Sequence, residues 1–286
     1  MSSNSATLWL RPFIARPIAL AGLAVLLATV LAAAFASWLA PFDPYAIDPA
    51  IRLTPPNAVH WFGTDQFGRD TLSRVIHSAR MALLIGSGVV VFALSTGVPI
   101  GVLSALFPRL GHVLMRIVDV LMAFPTLLLA LGMIVILGPS VANAILAIGL
   151  GYMTTTTRIV YGLTLRLRTE TYVEASRSMG AGTLWLVSKH ILPNLVSPLL
   201  VQASFVFAFS QLGAASLDFL GLGAPPDIPS WGNMLAESRT FITRAPWLLI
   251  FPGLMIVVTA FSLNLVGDAL RDRLDPRFRQ VFGEKG

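Results

Sequence analysis

Residues 120–157 read VLMAFPTLLLALGMIVILGPSVANAILAIGLGYMTTTT, 38 positions without one charge. As a single α-helix the run would extend about 57 Å, nearly twice the ~30 Å hydrocarbon core of a bilayer. Gly138-Pro139-Ser140 breaks it, because a Gly-Pro pair punctuates a helix. The reading is a third span over residues 117–137 and a fourth over 141–161, joined by a tight turn. A chain built this way crosses a membrane several times.

Working outward, the whole composition agrees. Of 286 residues 55% are hydrophobic and 12% charged, and mean hydropathy is +0.76, too apolar for a water-soluble chain of this length. Uncharged runs predict four further spans: residues 18–39, 82–106, 195–217 and 245–267. The first of these is longer than the roughly 7–15 residues of a signal-peptide core, so it reads as a retained helix. Gly97 and Gly101 in the second form a GxxxG spacing around Pro99, which lets helices approach closely. Asp119 lies one turn from Arg116, and pairing or snorkelling at the interface is expected of it. The expected class is an all-α, polytopic membrane protein with six transmembrane helices.

The loop over residues 162–194 carries an excess of positive charge. Residues 166–179 read as a helix with Tyr172, Ala175, Ser176 and Met179 on one face. Arg166, Glu170 and Glu174, spaced by four, support it modestly. Gly180 and Gly182 end that helix; Thr183 can cap a second short one bearing Leu184, Val187 and Ile191, which Pro193 closes. Its sequence from Glu174 is EASRSMGAGTLWLVSKHILP. On the other side of the spans, residues 60–74 read HWFGTDQFGRDTLSR, where Gly63 and Gly68 permit turns and Asp70 is a candidate N-cap for the helix entering the second span. A further non-spanning segment, 218–246, contains FLGLGAPPDIPSWGNMLAESR.

The spacing Glu174, Ala175, Gly180, Leu192, Pro193 resembles the EAA loop of permease subunits of bacterial ABC importers. Ser176 stands where a second Ala is usual in that family, and His190 where an Ile is usual. Gly63, Thr64, Asp65, Gly68, Arg69, Asp70, Ser73 and Arg74 resemble the signature of its dipeptide, oligopeptide and nickel branch, and the 218–246 string is similar to the peptide branch again. The resemblance implies a type I ABC importer permease fold. It implies that Glu174, Ala175, Ser176, Gly180, Ala181, Leu192 and Pro193 belong to a coupling helix docking on an ATP-hydrolysing subunit. It also implies the partners: a paralogous permease forming a heterodimer, two ATP-binding subunits that use ATP and Mg, an extracytoplasmic substrate-binding protein, and a peptide substrate. A nickel or other small-solute importer of the same branch is the alternative, and a secondary transporter, against which the lack of mid-membrane charge argues, is the other.

Charge sets the expected orientation. With the N-terminus inside, 14 of the 20 Lys and Arg face the cytoplasm, while the outer segments carry six Arg against seven acidic residues. The chain then divides into a cytoplasmic N-terminus (1–16), a first helix with an extracytoplasmic segment (17–80), a core permease domain (81–267) containing the coupling loop (162–194), and a cytoplasmic tail (268–286), in a bacterial inner membrane.

Several chemistries are excluded. No GxxxxGK[ST] is present, so nucleotide phosphates have no P-loop, and no cofactor is expected on this chain. No HExxH and no Cys occur, which removes a zincin site and any thiolate metal site. The apolar spans lack the mid-membrane charges of ion-coupled transporters. Nucleic acid is not an expected partner. Asn143, Gln202, Ser210 and Gln211 are the candidates for lining a pathway; with Thr154–Thr157, Ser204 and Asn264 they could equally tie helices together at roughly 0.6–2 kcal/mol each.

Overall fold

The computed structural model describes residues 17–274; residues 1–16 and most of the 268–286 tail lie outside them. Eleven helices occur there: α1 (Pro17–Ala34), α2 (Ala36–Leu39), α3 (Thr71–Leu106), α4 (Pro108–Met122), α5 (Thr126–Leu137), α6 (Val141–Leu167), α7 (Thr171–Ser178), α8 (Thr183–Leu186), α9 (Leu192–Phe219), α10 (Trp231–Ser238) and α11 (Trp247–Leu274). No strand is found among the described residues, only an isolated bridge between Thr64 and Asp70.

Helix α3 is the axis of the molecule. It begins where the sequence places it, with the Asp70 carboxylate accepting from the Ser73 amide and so satisfying a first-turn donor that the helix cannot. Its 36 residues extend about 54 Å, beyond the span expected over 82–106, because Thr71–Arg80 continue the same helix outside the apolar run. The GxxxG seam faces α6: a methyl at Gly97 would lie 3.0 Å from the Met153 carbonyl oxygen, and one at Gly101 2.7 Å from that of Thr157. These glycines bring two backbones together where a side chain would hold them apart. Beside the seam, Ile85, Val89 and Ala93 of α3 meet Ala144, Ala147 and Ile148 of α6, Ala130 and Ile134 of α5, and Val206, Ala214 and Leu217 of α9 in the main buried cluster.

Not all six expected spans stand out by length and apolar composition. Four helices are long and apolar enough to cross a membrane: Pro17–Ala34, Thr71–Leu106, the continuous Thr183–Phe219 and Trp247–Leu270. The expected third span is not one helix. Residues 109–116, which lie between the spans expected over 82–106 and 117–137, form the first part of α4, and α4 and α5 bend by 93° at their break. Pro125 causes it, since it lacks an N–H and disfavours helical backbone at Phe124. Counting the bent pair as one crossing gives five. The expected fourth span is α6, 27 residues long and N-capped by Ser140, enough for about 40 Å. Its Thr154, Thr156, Thr157 and Thr164 are buried against protein rather than facing outward, so its composition is less apolar than that of a lipid-facing helix. Asp119 pairs with Arg158 of α6 instead of Arg116.

The fifth and sixth spans are also longer than expected. Pro193 does not close the short helix; Val187–Ile191 widen into a π-helical turn directly before it, and the helix continues through Pro193 into α9. Thr183 is the first helical residue of α8 with Gly182 as its cap, and no side chain closes that end.

Candidate functional site

Two polar constructions sit at opposite ends of α3. At its start, residues 41–70 form an elbow of turns. The Asp65 carboxylate is 4% exposed. One of its oxygens accepts from Arg69 Nε at 2.6 Å and Arg74 Nη1 at 2.8 Å; the other accepts the Phe67 and Arg69 amides at 2.8 and 3.0 Å. Burial pushes the Asp65 carboxyl above the ordinary carboxylate value, against the opposing pull of the Arg74 charge and of nearby amide N–H groups. Both arginines reach on to Glu237 of α10, Arg69 Nη2 at 2.9 Å and Arg74 Nη2 at 3.3 Å. Gln66 Nε2 donates to the same carboxylate at 2.9 Å. Two buried arginines are thus shared by two carboxylates, Asp65 buried and Glu237 partly exposed.

The other signature residues hold that network in place. Asp70 accepts from the Ser73 hydroxyl at 2.8 Å and meets His60 Nδ1 at 2.9 Å. Ser73 Oγ accepts the Phe42 amide at 3.1 Å. Thr64 is buried, its hydroxyl donating to the Ile51 carbonyl and its own carbonyl accepting from Trp247 Nε1 at 3.1 Å. Gly63 and Gly68 have φ of +70° and +77°, the left-handed region that favours glycine. At Gly68 a methyl would also collide with the Asp48 carbonyl oxygen. Gly68→Ala is therefore expected to lose most folded protein, because φ strain of roughly 1–2 kcal/mol adds to a backbone collision that no rotamer relieves. Its yield and thermal midpoint in detergent, measured beside the parent, check this.

The string 218–246 supplies the facing wall. Asp218, 3% exposed, accepts the Ala224 amide and the Ser230 hydroxyl, both at 2.7 Å. Ser230 caps α10, Asn233 donates to the carbonyls of Ala224, Pro225 and Ile228, and Trp231 Nε1 reaches Val75 O at 3.1 Å. Glu237, Gln66, Asp218 and Asn233 are not among the site residues expected from the sequence. Their signal is the peptide-branch resemblance of the strings that contain Gln66 and, further on, Asn233 and Glu237; which charge meets which across 163 positions is not readable from spacing.

At the other end lies the 162–194 loop, anchored where Arg168 Nη1 donates to Ala105 O at 2.7 Å near the end of α3. The expected first helix is shorter, Thr171–Ser178, because residues 168–170 form a turn after α6. It carries Glu174, Ala175 and Ser176. Its end is a Schellman motif: Ala181 N donates to Ser176 O at 3.1 Å and Gly180 N to Arg177 O at 3.0 Å, with Gly180 at φ +89°. Val173, Leu186 and Ile191 are buried beneath. Met179 and Leu184, each 82% exposed, project from the turn beside half-exposed Trp185. Leu192 and Pro193 begin α9. The loop is a fixed helix–turn–helix with an apolar tip.

The candidate pathway residues lie between. Asn143 Nδ2 donates to the carbonyls of Leu137 and Gly138, both at 2.9 Å, closing the α5–α6 turn. Gln202 reaches Thr156 Oγ1 at 3.4 Å, Gln211 donates to Ala82 O at 2.9 Å, and Ser210 bonds its own helix at Phe207 O. Gln202, Ser210 and Gln211 are buried. The structure does not gather these four into one site. Among the described residues no group of three metal-ligating side chains occurs.

Comparison with known proteins adds a family and relatives. The family described as binding-protein-dependent transport system inner membrane component matches residues 97–280, and the N-terminal TM domain of oligopeptide transport permease C matches residues 7–56. The chain is 44% identical over 270 residues to the di/tripeptide transport system permease protein DppC of Pseudomonas aeruginosa, covering 92% of this chain and 89% of that one. It is 40% identical to the dipeptide transport system permease protein DppC of Alkalihalophilus pseudofirmus, covering 92% and 86%. Against the glutathione transport system permease protein GsiD of Pectobacterium atrosepticum it is 39% identical, covering 94% and 90%. A chain of the MetNI methionine ABC transporter in an inward-facing conformation superposes with a TM-score of 0.61 at 20% identity, covering 71% of this chain and 96% of that one.

Proposed function

The chain belongs to the family of binding-protein-dependent transport system inner membrane components, and from that premise we propose that it imports dipeptides and short oligopeptides. It is a membrane-embedded permease subunit of an ABC importer, a transport component. The substrate class is carried by one observation, the near full-length similarity to permeases named for dipeptide and di/tripeptide transport. The GsiD relative supports a second reading, glutathione, itself a tripeptide with one unusual amide linkage.

In this reading the chain pairs with a paralogous permease, and the pathway runs between them. ATP and Mg are used by two separate ATP-binding subunits, and a binding protein delivers the peptide from outside. The membrane is the bacterial inner membrane. The arginine distribution supports cytoplasmic termini, which puts the Met179–Leu184 tip inside and the Asp65 network outside. ATP-driven closure of the ATPases would press on the 162–194 loop, whose Val173 and Ile191 are buried, and through it on α9. The wall of Asp65, Arg69, Arg74 and Glu237 keeps the outer end of α3 fastened to the short helix α10 as the inner end of α3 moves. Such a two-state domain motion needs only one rigid contact to drive it.

Purification of the tagged chain from detergent-solubilised membranes tests this. A second permease, P-loop ATPases and a peptide-binding protein are expected to accompany it, with ATP hydrolysis in the eluate. Recovery of the chain alone, with transport following an ion gradient, would overturn the assignment.

A further inference from the structure

The link between α7 and α8 is slight. The connection Met179–Gly182 contains two glycines, and no atom outside the immediate chain lies within 4 Å of where a side chain would start at either. A push on α7 could be absorbed there. Across the gap, His190 Nε2 lies 3.1 Å from Ser176 Oγ. The imidazole also meets Tyr172 of α7 and Trp185 of α8 edge-on, with centroids 5.3 and 5.1 Å away, and the His190 carbonyl accepts from Asn194 Nδ2 at 2.6 Å. Among the described residues, the side-chain hydrogen bonds from 171–178 to 183–194 are this one and a longer contact of 3.5 Å from Asn194 to the Tyr172 hydroxyl.

The chemistry of the pair fixes its sense. Ser176 has one hydroxyl proton, and Tyr172 O accepts it at 2.9 Å. The oxygen must then accept from His190, which places a proton on Nε2. His190 lies within the π-helical turn Val187–Ile191. The extra residue in that turn changes the direction of the side chains on it, and π-turns inside α-helical runs are frequent at functional sites.

We infer that His190 is a positioning residue: it fastens α7 to the span beginning at Thr183, so that a displacement of α7 moves α9 instead of flexing the glycine connection. The inference rests on the reading of this loop as the ATPase contact.

The test uses the complete importer in proteoliposomes and reads substrate moved per ATP hydrolysed. His190→Phe keeps an aromatic ring but removes the donor, Ser176→Ala removes the acceptor, and His190→Gln retains an N–H. The first two are expected to lower the ratio about three- to tenfold, the worth of one hydrogen bond. Their combination should be no worse than either alone, and His190→Gln should recover most of the ratio. Because the chain has no cysteine, a single Met179→Cys reports contact with an ATPase subunit by cross-linking. Cross-linking with an unchanged ratio in His190→Phe, or independent additive losses in the double variant, overturns the inference. Failure of Met179→Cys to cross-link in the otherwise unaltered chain overturns the coupling reading itself, and this inference with it.

Discussion

Arg74→Ala is expected to be the most damaging single change at the elbow, costing about 3–5 kcal/mol, the typical penalty when one partner of a buried ion pair is removed. The Arg74 side chain is 1% exposed and holds both Asp65 and Glu237. Its loss leaves Asp65 with Arg69 alone, removes a charge that opposes the burial-driven rise of the Asp65 pKa, and leaves that carboxylate in a place where water cannot replace the guanidinium. Arg74→Lys should fail nearly as badly, because a single ammonium cannot serve two carboxylates in the planar fork geometry that arginine provides. The check is the thermal midpoint of the purified chain in detergent, with Arg52→Ala as a reference. Arg52 donates from Nε to Gln66 O at 2.7 Å at an exposed site and should cost at most about 1 kcal/mol. An Arg74→Ala protein as stable as that reference would show that the network does not hold α3 to α10.

Gly180→Val is expected to act in the opposite way, sparing the fold and abolishing the work. Nothing lies within 4 Å of the position a side chain would take, so the protein should fold and insert. At φ +89°, however, a β-branched residue is an outlier, with a strain of roughly 1–2 kcal/mol. Relief requires opening the Schellman turn, which changes the angle of α7 against α8. Transport and substrate-stimulated ATP hydrolysis should fall to background. Gly182→Val is the control: it is equally open, but its φ of −70° is ordinary, so its turn survives. If both valines abolish transport alike, steric blocking of the docking partner is the cause and not the turn. If neither does, the tip is not the coupling contact.

The elements legible in the sequence were those whose cause is local. Asp70 caps α3 because a carboxylate before a helical run can satisfy its own first turn, and the GxxxG pair marks a close helix approach because close packing demands small residues at that spacing, though only the structure supplies α6 as its partner. The end of α7 at a glycine was legible for the same reason. Hydropathy, by contrast, measures how far an apolar run extends and not where it points. The charge-free run from Val120 hid the break at Pro125, and with it the 93° bend. Pro193 does not end its helix as its position suggests, because a proline closes a helix only when the backbone cannot adjust, and here a π-turn precedes it. The elbow residues could be selected by their resemblance to a signature, but their partner Glu237 lies 163 positions beyond Arg74. Arg158 as the partner of Asp119 depends in the same way on how α6 passes α4.

The central claim is that this permease component carries peptides on energy supplied by ATP. Its most direct test is uptake of a radiolabelled dipeptide into right-side-out proteoliposomes holding the full complex and its binding protein, with ATP enclosed and ion gradients collapsed by ionophores. The account predicts accumulation above the outside concentration that requires both the enclosed ATP and the binding protein, and that unlabelled dipeptide suppresses. Accumulation that survives without ATP but vanishes with the ionophores would contradict it.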